Sequence, residues 1–424
     1  MREVPRDLGD GFVGDVILPG DPGYDAARIV WNGMIDRRPA IVVRPAAESD
    51  VAAAVRFARE RDLLIAVRGG GHSIPGFSTC DDGIVIDLSR LRGVSVDPRR
   101  QTARVAGGSL LGELDDAAQA VGLVCPVGVV SHTGVAGLTL GGGMGRLQRK
   151  LGYTIDSLLA AELVTADGLV VRASEDENPD LLWGLRGAGA NFGVATAFEF
   201  RLHPLDPVVT HGAVVHPAER ARELAALARE LVDASPDELW LSYAIGLTES
   251  GEHPAAMISV HHCGTVDEAE RDLAELRAFG PPDADSISAK PYLEAQHLYD
   301  EALEWGHRFY MKSAFLPGLP DEIVDRCVEH AARVPAGADG SFSFWSAGRA
   351  IAAVAEDATP FTGRAAAFWA AVEIQWDDPT LDDDCRSWVR AAAADIDRHA
   401  LIGRYVNDVA DAEAGLARAI YGDA

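Results

Sequence analysis

Glycine is concentrated in three short stretches of this chain, and each restricts what the backbone around it can form. Arg68 to Ser73 reads RGGGHS and follows an apolar run, Leu64 to Val67. Gly134 to Gly145 reads GVAGLTLGGGMG, and Gly187 to Thr196 reads GAGANFGVAT. Without a Cβ the backbone can approach a neighbour closely, and successive N–H groups can turn toward one anion. RGGGHS is not the G-x-G-x-x-G of a dinucleotide-binding unit, because its glycines are contiguous and no helix pattern follows. The second stretch makes a poor helix or strand and a good wall around a flat, charged cofactor. Each is a weak signal alone, since a glycine-rich turn is usually only a turn. A lone histidine such as His72 is usually bonded to nearby backbone.

The pattern around the glycines predicts an α/β or α+β domain up to about Pro204, and the chain as a whole is expected to be α+β. Strands are expected at Ile41–Val43, Leu64–Val67, Ile84–Ile86 and Thr102–Ala106. A helix capped by Ser49 runs to Asp62, and a second spans Leu110–Val121. Beyond Val208 the expected order is helix Ala218–Ala234, strands Leu239–Ile245 and Ala256–His261, and helix Val266–Phe279. A strand at Phe309–Phe315, a helix from about Asp321, and strands Phe342–Trp345 and Trp369–Trp376 follow. This second region reads as an antiparallel sheet covered by helices, with the boundary at Pro204 to Pro207.

A length of 424 residues exceeds one ordinary core and implies two domains, or one domain with a large insert. A net charge of −27 argues against a nucleic-acid or anionic membrane partner. No apolar run reaches the roughly 20 residues that span a bilayer, and MREVPRDLGD has no signal-peptide pattern, so a cytoplasmic location is expected. The five cysteines are scattered, with no C-x-x-C pair, which disfavours a disulfide scaffold or a zinc site. His261 and His262 are strand neighbours on opposite faces with no carboxylate at ligand spacing, so no metal is expected.

RGGGHS, SHTGVAGLTLGGGMG and DLLWGLRGAGANFGVAT, in that order, resemble the berberine-bridge-enzyme-like branch of the FAD-linked oxidases, within the vanillyl-alcohol-oxidase superfamily. WNGMIDRRPAIVVRP (Trp31 to Pro45), HRFYMKSAFLPGLPDEIVD (His307 to Asp325) and YVND (Tyr405 to Asp408) extend the resemblance over most of the chain. It implies a two-part PCMH-type FAD-binding domain over 1–205, a substrate domain over 206–390, and a segment 391–424 returning to the FAD domain. It also implies that Arg68, Gly69, Gly70 and Gly71, with Ser73, cradle the FAD pyrophosphate and that His72 bonds covalently to the flavin. Gly134, Gly137, Gly141, Gly142 and Gly143 would wall the flavin, Val194 would approach the adenine through its backbone, and Asn407 would lie near the flavin.

Two departures from the family pattern stand out. Doubly tethered members carry a cysteine where this chain has Val130, and Cys125 lies five residues too early, so a single link is expected. The family's usual C-terminal tail is also missing after Tyr421-Gly422.

The implied chemistry is oxidation of a small-molecule alcohol, sugar, amine or natural product, with hydride passing to FAD and O2 reoxidising it to give H2O2. Such a reaction needs a base, and Tyr405 is the candidate. Alternation along Arg308-Phe309-Tyr310-Met311-Lys312 puts Arg308, Tyr310 and Lys312 on one face, either oriented toward substrate or exposed to solvent. A dehydrogenase with another electron acceptor, or a flavin-binding protein without turnover, are the alternatives. Substrate identity and oligomeric state are not legible.

Overall fold

Uninterrupted β-branched runs need burial on both faces, and Ile41–Arg44 and Ile84–Asp87 obtain it at the centre of a four-stranded sheet. Ile65–Arg68 lies parallel to Ile84–Asp87, which lies parallel to Ile41–Arg44, and Asp15–Ile17 closes the far edge antiparallel. The computed structural model describes residues 6, 8–9, 11–247, 253–411 and 416–421. The chain divides into two units, the first comprising Met1–Met144, Thr154–Pro204 and His297–Gly306.

Helix Glu48–Glu60 covers that sheet with Val51, Ala54, Val55 and Ala58, an i, i+3, i+4, i+7 stripe that is fully buried. Each buried valine is worth about 1.5–3 kcal/mol. Ser49 is not its cap. The helix begins after Ala47, and the Asp50 carboxylate reaches back to accept from the Ala46 and Ala47 amides at 2.8 and 3.3 Å. Leu64, expected inside a strand, is 67% exposed, and the strand starts at Ile65.

The second sheet of this unit is antiparallel, in the order Val94–Asp97, Thr102–Ala106, Val194–Arg201, Leu158–Val164 and Val170–Ser174. Helices Leu111–Gln119 and Pro179–Leu185 bury Leu111, Leu114, Ala118, Leu182 and Leu185 with it. Contrary to expectation, the second glycine stretch holds a short helix, Val135–Leu140. Its glycines mostly flank that helix, with Gly134 before it and Gly141 after it, and only Gly137 lies inside.

The second unit comprises Gly145–Tyr153, Leu205–Gln296 and His307–Ala424. Its sheet follows the order Ala284–Asp285, Val208–Pro217, Pro254–His262, Leu239–Leu247, Ala338–Ser346, Phe368–Trp376 and Arg308–Leu316, antiparallel throughout. Helices Ala221–Ala234, Asp321–Ala331 and Asp382–Asp397 lie against it. Phe342 of the sheet meets Trp388 of the last helix at 5.4 Å between ring centres, and the Tyr243 hydroxyl donates to the Ala221 carbonyl. The helix expected over Val266–Phe279 is interrupted at Leu273. Segment 391–424, expected to return to the FAD domain, falls in this second unit, and its Tyr421-Gly422 end runs into undescribed residues. Among the described residues no helix is long and apolar enough to cross a membrane.

Candidate functional site

In the first unit, strand Ile65–Arg68 delivers the chain into Gly69-Gly70-Gly71, and a second glycine closes on it. A Cβ on Gly70 would stand 2.1 Å from the Gly134 nitrogen, and one on Gly134 would stand 2.2 Å from the Gly70 nitrogen. The two loops therefore touch backbone to backbone, which only glycine permits. Among the described residues, no backbone hydrogen bond is donated by Gly70, Gly71, His72 or Ser73. A run of uncommitted amides on a glycine loop fits the oxygens of a pyrophosphate. A Cβ on Gly137 would meet nothing within 4 Å, so that wall faces open space. These features fit a phosphate-bearing, flat cofactor.

The other expected residues take the following places. Arg68 is buried, and its guanidinium donates to the Asp87 carboxylate and the Ile29 carbonyl at 2.9 Å, leaving it to anchor the loop. Asp87 also accepts from Arg44 at 2.8 Å. Burial raises the Asp87 pKa, but Arg68 and Arg44 more than offset this and hold it below the usual carboxylate range. The Gly142 and Gly143 carbonyls accept from the Ile155 and Thr154 amides, so these glycines secure the turn. Gly141 closes the short helix. Val194 opens a buried strand, Val130 is buried at 8% exposure, and the Ser73 hydroxyl accepts from the Phe77 amide. Cys125 sits at 0% exposure within the core of the second sheet.

His72 is held on three sides. Trp31 stacks on it with ring centres 5.2 Å apart, and Trp305 meets it edge-on at 6.0 Å. Its Nε2 pairs with Nδ1 of His132 at 2.7 Å. Burial, then the neighbouring His132, depresses the His72 pKa to about 3, so the ring is neutral. Sequence reading quoted His132 inside a motif without assigning it a task, because its partner is 60 residues away.

In the second unit, Tyr405 is 6% exposed, and its phenol oxygen accepts from the Asn407 amide at 2.9 Å. The next residue, Asp408, accepts from Trp369 Nε1 at 3.0 Å, and burial pushes its pKa up to about 7. Arg308, Tyr310 and Lys312 do share a face, but it is the face covered by helix Asp382–Asp397. Arg308 binds Asp382, Tyr310 donates to Asp411 and accepts from Arg390, and Lys312 lies 3.7 Å from Asp411. Burial and Asp411 raise the Tyr310 pKa to about 12, and the row takes part in an ion-pair network.

The opposite face carries a group that sequence reading missed. Glu373 is half-buried and accepts from Ser341 and Ser343 through Oε1 at 3.2 and 3.4 Å. Burial raises its pKa. The available signal was a lone carboxylate in the apolar strand Phe368–Trp376. His262 bonds Asp272 at 3.0 Å, a partner not visible at sequence spacing, whereas His261 packs on His211.

A sequence profile for an FAD binding domain matches residues 39–174. The chain is 40% identical over 316 residues to (R)-6-hydroxynicotine oxidase of Paenarthrobacter nicotinovorans, covering 74% of this chain and 66% of that protein. It is 32% identical over 391 residues to the FAD-linked oxidoreductase hasG of Aspergillus fumigatus, covering 88% of this chain and 82% of that protein. The crystal structure of 6-hydroxy-D-nicotine oxidase from Arthrobacter nicotinovorans superimposes with a TM-score of 0.90 at 29% identity, over 99% of this chain and 93% of that one. Fold and cradle together define an FAD-binding protein of the PCMH type. The chain belongs to the FAD-linked oxidoreductases.

Proposed function

We propose that this protein is a flavin oxidase that removes hydride from a carbon bearing a hydroxyl or amine on a small molecule, with FAD tethered through His72 alone. FAD, when bound, supplies the hydride acceptor and passes electrons to O2, giving H2O2. The observation that carries the reading is His72 itself, a neutral imidazole fixed by Trp31 and His132 at the end of a loop of uncommitted amides. Arg68, bound to Asp87, holds the loop in place. Val130 at the second-tether position, with Cys125 buried in the core, supports one link and not two.

On the second unit's sheet, Glu373 Oε1 is engaged by two serines, which leaves Oε2 to take the substrate's heteroatom proton. Tyr405 and Asn407 form a hydrogen-bonded pair that would orient the substrate. We assign the FAD domain to 1–205 and the substrate domain to 206–390.

Acid precipitation tests the tether. Washed pellets should stay yellow and fluorescent, His72→Ala should release all its flavin, and release from the unaltered protein would refute the link. Stopped-flow mixing of reduced enzyme with air tests the oxidase assignment. Rapid reoxidation is expected, and slow reoxidation that an added quinone accelerates identifies a dehydrogenase.

A further inference from the structure

The ring nitrogens around His72 form a chain with only one consistent direction. His132 Nε2 faces the Asp300 carbonyl at 3.4 Å, and a carbonyl can only accept. His132 therefore carries its proton on Nε2 and offers a lone pair on Nδ1. His72 must then donate from Nε2 across the 2.7 Å contact, which leaves the lone pair on His72 Nδ1. That nitrogen makes no hydrogen bond among the described residues.

Asp300 is itself fixed. Its carboxylate accepts from the Ser131 amide and hydroxyl at 2.8 and 2.5 Å and bonds His297 at 2.6 Å. Burial raises its pKa, but the Ser131 and His297 bonds outweigh this and keep it ionised.

We infer that His132 is the positioning residue and proton acceptor for flavin attachment, fixing the His72 tautomer so that Nδ1 is the nucleophile and then taking the Nε2 proton as the bond forms. This rests on the reading that His72 carries the flavin. Attachment breaks one C–H bond of the flavin 8α-methyl group and the Nε2–H bond of His72, and it forms one C–N bond. The C–H proton leaves to solvent, and the two electrons stay on the flavin until O2 takes them, with two protons from solvent, as hydrogen peroxide. His132 returns its proton to solvent and is regenerated.

The test follows attachment itself, not turnover. Protein expressed with limiting riboflavin is mixed with FAD in air. Covalent flavin is then measured against time by in-gel fluorescence and by the mass of the peptide bearing His72. The unaltered protein should attach FAD. His132→Ala should bind FAD dissociably and attach it on the order of a hundredfold more slowly, and added imidazole should restore part of the rate. His132→Asn, which keeps an acceptor near the Nδ1 position but no base, should also be slow, and it decides the matter if the alanine variant does not fold. Attachment at the unaltered rate in either variant overturns the inference while leaving the tether standing. Slow attachment in His132→Ala that imidazole does not restore, with full recovery in His132→Asn, overturns the proton-acceptor role. If the unaltered protein never attaches flavin, the tether reading fails and this inference fails with it.

Discussion

Substituting Gly70 by alanine sets the strength of the cradle argument against a measurable number. The new Cβ would lie 2.1 Å from the Gly134 nitrogen, 2.7 Å from its Cα and 2.9 Å from the Thr133 carbonyl carbon. All three are backbone atoms, so no side chain can swing aside. Contacts must reach at least 3.0 Å, and the two loops must separate. Overpacking of this kind costs about 1–3 kcal/mol. The cost should appear as a lower urea midpoint at unchanged slope, together with loss of FAD, read as absorbance at 450 nm relative to 280 nm. Gly137→Ala is the paired control. Its Cβ meets nothing within 4 Å, and it lies inside helix Val135–Leu140, where alanine is favoured by roughly 0.5–1 kcal/mol. Stability of the cofactor-free protein should hold or rise, yet FAD retention should fall if the open space is where the cofactor lies. A Gly70→Ala protein with normal stability and full FAD would refute the loop contact, and full FAD in Gly137→Ala would refute the wall.

Three further outcomes follow from named groups. Asp87→Asn leaves Arg68 and Arg44 facing a neutral amide at a site of 0% exposure, and it should cost about 3 kcal/mol in denaturant unfolding. Because the folded Asp87 pKa is lowered, its contribution is present above the ordinary carboxylate pKa and is lost as pH falls through the lowered value; the variant should lack that acid-side loss. Asp408 behaves oppositely. Its pKa of about 7 means that the folded state holds a proton the unfolded chain has released, so stability should fall as pH rises from about 4 to 7 and then level off. Asp408→Asn should flatten that slope in thermal melts across pH. Glu373→Gln should lower kcat by about 10²–10⁴-fold while flavin content stays normal, and an unchanged kcat removes Glu373 as the proton acceptor.

Where apolar spacing was regular, sequence reading came within a few residues of the folded elements. Thr102–Ala106 forms as expected, and Phe309–Phe315 lies inside the strand Arg308–Leu316. Helix Asp382–Asp397 was overlooked although Cys385, Trp388, Val389, Ala392, Ala393 and Ile396 follow helical spacing. Its acidic start, Asp382-Asp383-Asp384, suits a helix N-terminus. Ser49 lost the capping role because the helix starts earlier, after Ala47, which places Ser49 inside the first turn while the Asp50 carboxylate accepts from the Ala46 and Ala47 amides.

The sequence alone determined the cofactor class and the glycine loops, because backbone contact between Gly70 and Gly134 excludes any side chain and so is written in residue identity. It also located His72 and Val130. Only the tertiary structure decided the partners: Asp87 for Arg68, His132 for His72, Asp411 for Tyr310, and the face on which Glu373 lies. Hydrogen bonds and burial join residues far apart in the chain, and alternation fixes which strand residues share a face without fixing what covers it.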